Sequence, residues 1–318
     1  MSMRSMTGAA AAPSTPATTG ATRTTGGTGS AGLFAPPRVA VSRRSDGTQL
    51  AKSPDPLGSY SRCLGEWLVQ WAARTPDVTW LAQREGAGWQ HLTYGEALPQ
   101  VLALATWMLR NRLGVDRPLV LLSDNSLEHA LLTVAAMHVG IPAVPISPAY
   151  SLMSQDHGKL KAIVASVRPG AIYAAPSARY AQALAAVKAC HDAVLVLDDL
   201  AAAPAGAAGG VREYRELLAE TDASAVARAF DDVGPDTVAK ILFTSGSTGI
   251  PKGVINDQRM LCASQQAKLQ VWPFLAHTPP VIVDWLPWNH TFGGNHNFNM
   301  VLRNGGTLYI DGGKAAAA

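Results

Sequence analysis

The chain has 318 residues, 47% of them hydrophobic and 15% charged, enough apolar material for one large domain or two ordinary ones and too much for a wholly disordered protein. Its formal charge of +3 is uneven: residues 1 to 45 carry five arginines and no acid, leaving 21 basic against 23 acidic groups in the rest. A near-neutral body excludes a nucleic-acid partner held by a basic face.

Cys63, Cys190 and Cys262 stand far apart, with no CxxC spacing and no histidine at ligand distance. They read as reduced thiols, which fits a cytoplasmic protein with neither a disulfide nor a metal-binding cluster. The longest apolar run, LLTVAAMHVGIPAVPI, is broken by His138, Pro142 and Pro145, so no membrane span and no membrane partner is expected.

Residues 1 to 32 are almost all Ala, Thr, Gly, Ser and Pro, which cannot offset the entropy of ordering. We expect a disordered tail over 1–45, a globular part over 46–314 and an alanine tail over 315–318. A solvated extension or an early start codon accounts for the first segment better than an organellar transit peptide, because amphipathic periodicity is missing.

In LTYGEALPQVLALATWMLRNRLG, Thr93 and Glu96 have capping-box spacing, apolar side chains recur at Leu98, Val101, Leu102, Ala105 and Leu109, and Gly114 offers a left-handed cap. These features predict a helix closing at Gly114. There follow a strand at PLVLLS, a helix from about Asn125 to His138, a strand at AVPI, a helix near 155–168, a strand at AIYA, a helix at ARYAQALAAVKACH and a strand at AVLVLDD. Strands alternating with helices of this length imply an α/β fold of largely parallel sheets covered by helices. The stretch 203–210 reads as a surface loop.

The apolar strand VAKILF then delivers the chain to TSGSTGIPKG. Gly246, Gly249 and Gly253 permit backbone angles closed to other residues, so successive N–H groups can converge on one anion. Thr244, Ser245, Ser247 and Thr248 add hydroxyl donors, and Lys252 adds a point charge suited to phosphate oxygens. The spacing is neither Walker A nor the dinucleotide fingerprint. Because the chain continues as VIN, the loop is expected to join two strands and to owe little to a helix dipole.

T-S-G-S-T-G-x-P-K-G after an apolar strand resembles the phosphate-binding signature of the adenylate-forming superfamily, which includes acyl-CoA synthetases, peptide-synthetase adenylation domains and luciferases. LTYGEAL and HALLTVAAMHVGIPAVPISPAY resemble further segments of that family, so the likeness covers about residues 60–314. WLPWNHTFGGNHNFNMVL is particularly similar to feruloyl-CoA synthetases. By this resemblance Thr244 to Gly249 and Lys252 bind the nucleotide, with Lys252 and His290 as catalytic residues. His290, Phe292, Gly293, Gly294 and Asn295 would border the acyl group, the two glycines leaving room for an aromatic ring.

The resemblance implies ATP, Mg²⁺ and coenzyme A, a small carboxylic acid as substrate, and gives no indication of a protein partner. It implies adenylation of a hydroxycinnamate such as ferulate, then thioester formation, as in aromatic acid catabolism; another aromatic or fatty acid remains open. The family's later Y-G-x-T-E segment, ribose-binding aspartate and small C-terminal domain have no counterpart in these residues. The chain is therefore expected to be an incomplete large N-terminal domain, inactive alone. The alternative is a catalytically silent nucleotide- or aromatic-acid-binding remnant.

Overall fold

In a computed structural model, the structure describes residues 33–244, 249 and 251–312. An antiparallel hairpin comes first, β1 (Ala40–Arg43) with β2 (Gln49–Lys52). It starts inside the segment read as a disordered tail to residue 45, and so corrects that boundary. Composition marked only residues 1 to 32 as low in apolar side chains, whereas Val39 and Val41 resume a strand pattern.

After α1 (Gly65–Arg74), the strands β3 (Thr79–Glu85) and β4 (Gly88–Thr93) form a second antiparallel hairpin leading into α2 (Tyr94–Arg110). The expected capping box is present in both directions: the Glu96 N–H donates to the Thr93 hydroxyl at 3.2 Å, and the Thr93 N–H to the Glu96 carboxylate at 2.9 Å. The far end differs from the prediction. Arg112, at φ 57°, takes the left-handed position expected of Gly114. The Leu113 N–H bonds back to the Met108 carbonyl and the Arg112 N–H to that of Leu109, a Schellman closure sealed by burial of Leu113 and Met108. Gly114 instead bridges to Arg117.

The central run is β5 (Leu119–Ser123), α3 (Leu127–His138), β6 (Ala143–Pro145), a short α4 (Pro148–Leu152), α5 (Gly158–Val167), β7 (Ala171–Ala175), α6 (Ser177–Val187), β8 (Val194–Leu197) and β9 (Val211–Glu213). It continues with α7 (Ala223–Asp232), β10 (Val238–Thr244), β11 (Lys252–Asp257) and α8 (Gln258–Val271). Last come β12 (Val281–Asp284), a π-helical turn (Phe292–Asn297), α9 (Phe298–Arg303) and β13 (Thr307–Ile310).

Two larger sheets result. One has seven strands in the order β11-β10-β6-β5-β7-β8-β9, parallel except where β10 meets β11. The other runs β12-β13-β3-β4, with only β3 and β4 antiparallel.

Alternation along β5 shows how the layers form. Leu119 and Leu121 enter one core with α2, α3 and the four-stranded sheet, while Val120 and Leu122 enter another with α5 and α6. Successive strand side chains point to opposite faces, so a fully apolar run is what a strand buried on both sides requires. The carboxyl ends of β5, β6, β7, β8 and β10 consequently share one edge, and ligands of open α/β sheets bind beyond such an edge.

Candidate functional site

β10 and β11 form the antiparallel hairpin anticipated from the sequence, with Thr244 opposite Lys252 and Phe243 opposite Gly253. The glycine-rich loop is thus presented by two paired strands at the carboxyl edge of the large sheet. Ser245, Gly246, Ser247 and Thr248 lie outside the described residues. Gly249 has φ +84° and open space where a Cβ would stand, so its left-handed backbone, not crowding, calls for glycine. Thr244 and Lys252 are exposed, and the Thr244 hydroxyl donates to the Lys252 carbonyl at 3.5 Å. Beside the loop a cleft of about 540 Å³ is lined by Gly249, Pro251, Tyr150, Ser154, Asp156 and Lys159.

His290 occupies the loop after β12. Its N–H donates to the Pro287 carbonyl at 3.1 Å, its Nδ1 accepts from the Phe292 N–H at 3.4 Å, and its ring is exposed. Asn125, two residues past the end of β5, holds this loop at two points. Its Nδ2 donates to the Leu286 carbonyl at 2.9 Å, and its Oδ1 accepts from the Trp288 N–H at 3.0 Å.

Phe292, Gly293, Gly294 and Asn295 all fall in the π-helical turn, where the Phe298 N–H reaches back five residues to the Gly293 carbonyl. Such turns are rare and are frequent at functional sites. The two glycines do not leave room for a ring, contrary to the expectation. A Cβ on Gly293 would stand 2.5 Å from the Leu286 carbonyl oxygen, and one on Gly294 2.3 Å from that of Trp288. Main chain fills the space, and the glycines allow turn and loop to touch. The aromatic surface lies elsewhere on the turn: the Phe292 and His296 rings stack at 4.6 Å and 13°, with Trp272 edge-on to His296 at 5.9 Å.

Three side chains bonded to this turn were not singled out from the sequence. The Lys240 amine, in the middle of β10, donates to the Gly294 carbonyl at 3.0 Å. From α8, Gln265 donates to the Asn295 carbonyl at 2.7 Å and Lys268 to that of His296 at 3.2 Å. Asn295 also donates through Nδ2 to Asn256 Oδ1 on β11 at 2.9 Å. Burial lowers Lys240 to about 7 and Lys268 to about 8, since an ammonium loses its hydration there. A charge within the apolar stretch VAKILF was the available signal for Lys240.

Two groups of residues called functional from the sequence therefore sit on linked elements, although among the described residues no hydrogen bond joins Lys252 to His290. The arrangement sets the strand hairpin of the glycine-rich loop on one side and an aromatic face on the other. Among the described residues no three His, Cys, Asp or Glu side chains converge as metal ligands. Nor is any described helix long and apolar enough to cross a membrane.

Residues 68–317 match the sequence profile of the family described as AMP-binding enzyme. Among curated proteins, the chain is 29% identical over 238 residues to a carboxylic acid reductase of Mycobacterium marinum, covering 69% of this chain and 20% of that protein. It is 28% identical over 233 residues to 4-coumarate–CoA ligase 1 of Oryza sativa, covering 71% and 39% respectively. A solved structure titled as a putative long-chain-fatty-acid CoA ligase from Rhodopseudomonas palustris superposes with a TM-score of 0.62 at 20% identity, covering 78% of this chain and 57% of that one. That likeness shows the fold, an α/β arrangement of mixed, mostly parallel sheets like the N-terminal domain of adenylate-forming enzymes. The chain spans a fifth to two fifths of the two curated relatives. A profile match over so much of its length, on a fold that presents the glycine-rich loop from a strand hairpin, places the chain in the AMP-binding enzyme family.

Proposed function

We propose that the protein activates a small carboxylic acid by adenylation and passes the acyl group to the thiol of coenzyme A, with a hydroxycinnamate such as ferulate as the acid. The observation that carries this reading is the β10–β11 hairpin, whose tip bears T-S-G-S-T-G-x-P-K-G with Gly249 left-handed and Lys252 opposite Thr244.

In the first half-reaction a carboxylate oxygen attacks the α-phosphorus of ATP, and the bond to the bridging oxygen breaks to release pyrophosphate. The chain's contribution is to hold the nucleotide and bring the two reactants together. Lys252 and the glycine-rich loop are assigned to the β- and γ-phosphates. In the second half-reaction a thiolate attacks the acyl carbon and AMP departs. Both curated relatives are named for carboxylic acid substrates, and the stacked Phe292 and His296 rings suit an aromatic one. His290, exposed beside that stack, is suited to hydrogen-bond the carboxylate. The cleft beside Gly249 and Pro251, with Lys159 on its wall, adds a second cation near the phosphates.

ATP–pyrophosphate exchange in the complete gene product, run with ferulate, p-coumarate, caffeate and octanoate, tests the proposal. Exchange with the hydroxycinnamates is expected. Preference for octanoate overturns the aromatic assignment, and exchange with none of the acids overturns the adenylation reading.

A further inference from the structure

We propose that Lys240, Gln265 and Lys268 are positioning residues for the acyl subsite, which they fix by hydrogen-bonding the three consecutive carbonyls of Gly294, Asn295 and His296. The inference rests on the reading of the π-helical turn as that subsite. Its observations are independent of the sequence motif, because none of the three donors belongs to it.

A π-helical turn is wider and less well bonded than an α-helix, and persists where its surroundings hold it. Here the holding groups come from two elements at once, Lys240 from β10 and the other two from α8. Lys240 is 2% exposed, and its amine has the Gly294 carbonyl as its sole hydrogen-bond acceptor among the described residues. The Phe298 ring centre stands 5.6 Å away. Among the described residues no carboxylate pairs with Lys240 or Lys268.

Burying the Lys240 amine and half-burying that of Lys268, each without a carboxylate partner among the described residues, opposes folding, and at Lys240 a methionine of similar shape would serve the core better. What the amines supply is direction at the turn. They fix the carbonyl row on its inner side, and with it the Phe292–His296 stack on its outer side. Since Lys240 lies four residues before Thr244, the strand that presents the nucleotide loop also registers the acyl face.

Lys240→Met, Lys268→Met and Lys268→Arg are to be compared in the complete gene product. One arm is the exchange kinetics, and the other is hydrogen–deuterium exchange of the amides of 292–298. Loss of one donor at a carbonyl is worth about tenfold. Lys240→Met is expected to raise KM for the accepted acid about tenfold, leaving KM for ATP within about twofold, and to hasten amide exchange of the turn about tenfold. Its Tm should equal or exceed the wild-type value, and Lys268→Arg, which keeps a donor, should retain the wild-type KM.

Unchanged acid KM and unchanged amide exchange in Lys240→Met overturn the inference. So does a fall in Tm with kcat and both KM values impaired together, which marks a merely structural lysine. If no acid supports exchange in the wild type, the adenylation proposal has failed, and the amide-exchange arm still decides whether the donors hold the turn.

Discussion

The Lys240 amine meets the Gly294 carbonyl at 3.0 Å, tying the strand that enters the glycine-rich loop to the turn that carries the aromatic stack. This bond has a pH signature. Burial holds Lys240 near 7 in the folded chain against an ordinary 10.5, so between those values the unfolded chain binds the additional proton. Stability therefore rises with pH across that window, and the penalty is fully present below it. The melting temperature is expected to climb by several degrees, about 2–4 °C per kcal/mol, on going from about pH 7 towards 10. In Lys240→Met the climb should shrink. Equal slopes in the two proteins would show that the amine is not titrating from within the core.

Two buried histidines set the acid side. Burial lowers His129 to about 3 and His138 to about 4. His129 shares a 2.8 Å hydrogen bond between its Nδ1 and the Ser123 hydroxyl, and His138 stacks on Phe230 at 4.2 Å. Below the ordinary 6.5 the unfolded chain gains protons that the folded chain refuses. The stability they contribute is complete above that value and drains away towards pH 3 to 4. His138→Leu should melt less steeply with acidification than the wild type when both are followed by circular dichroism. An unchanged acid limb would place the loss with other groups.

The parts legible in the sequence were those governed by local patterns. The capping box of Thr93 and Glu96, the two-sided apolar strand at Leu119–Ser123 and the hairpin around the glycine-rich loop each follow from periodicity or cap chemistry within a few residues. The end of α2 was not legible, because Arg112 adopts a left-handed angle that glycine was expected to supply, and burial of Leu113 secures it. Gly293 and Gly294 were recognised as required, but for the wrong reason. The carbonyls of Leu286 and Trp288 that crowd them are local only after Asn125, more than 160 residues earlier in the chain, has pinned the loop. Lys240 and Lys268 were missed because their partners are 54 and 28 residues away, a separation that no window reads.

The glycines of the two segments should respond differently to a methyl group. Gly294→Ala places Cβ 2.3 Å from the Trp288 carbonyl oxygen, a backbone clash that cannot relax through a rotamer. It is expected to cost about 1–3 kcal/mol. Gly249→Ala meets nothing within 4 Å and pays only for its left-handed angle, about 1 kcal/mol. Urea midpoints of the two variants should therefore differ, with Gly294→Ala the less stable. The reverse order would mean that the loop before β11 is the tighter structure.

Lys252 offers the most direct test of the nucleotide loop. It stands at the first position of β11, exposed and in register with Thr244, and makes no ion pair among the described residues. Its removal should leave the fold intact. A charge-assisted hydrogen bond to a phosphate oxygen is worth about 1.5–3 kcal/mol, so Lys252→Ala should lower ATP–pyrophosphate exchange by roughly 10- to 100-fold with its melting temperature unchanged. Lys252→Arg keeps the charge but replaces a compact ammonium by a planar fork, and should fall between the two. A wild-type rate in Lys252→Ala would reduce the hairpin to a turn without a ligand. A matching fall in stability would instead assign the lysine to the sheet, because an exposed side chain that only meets phosphate has no part in holding β10 against β11.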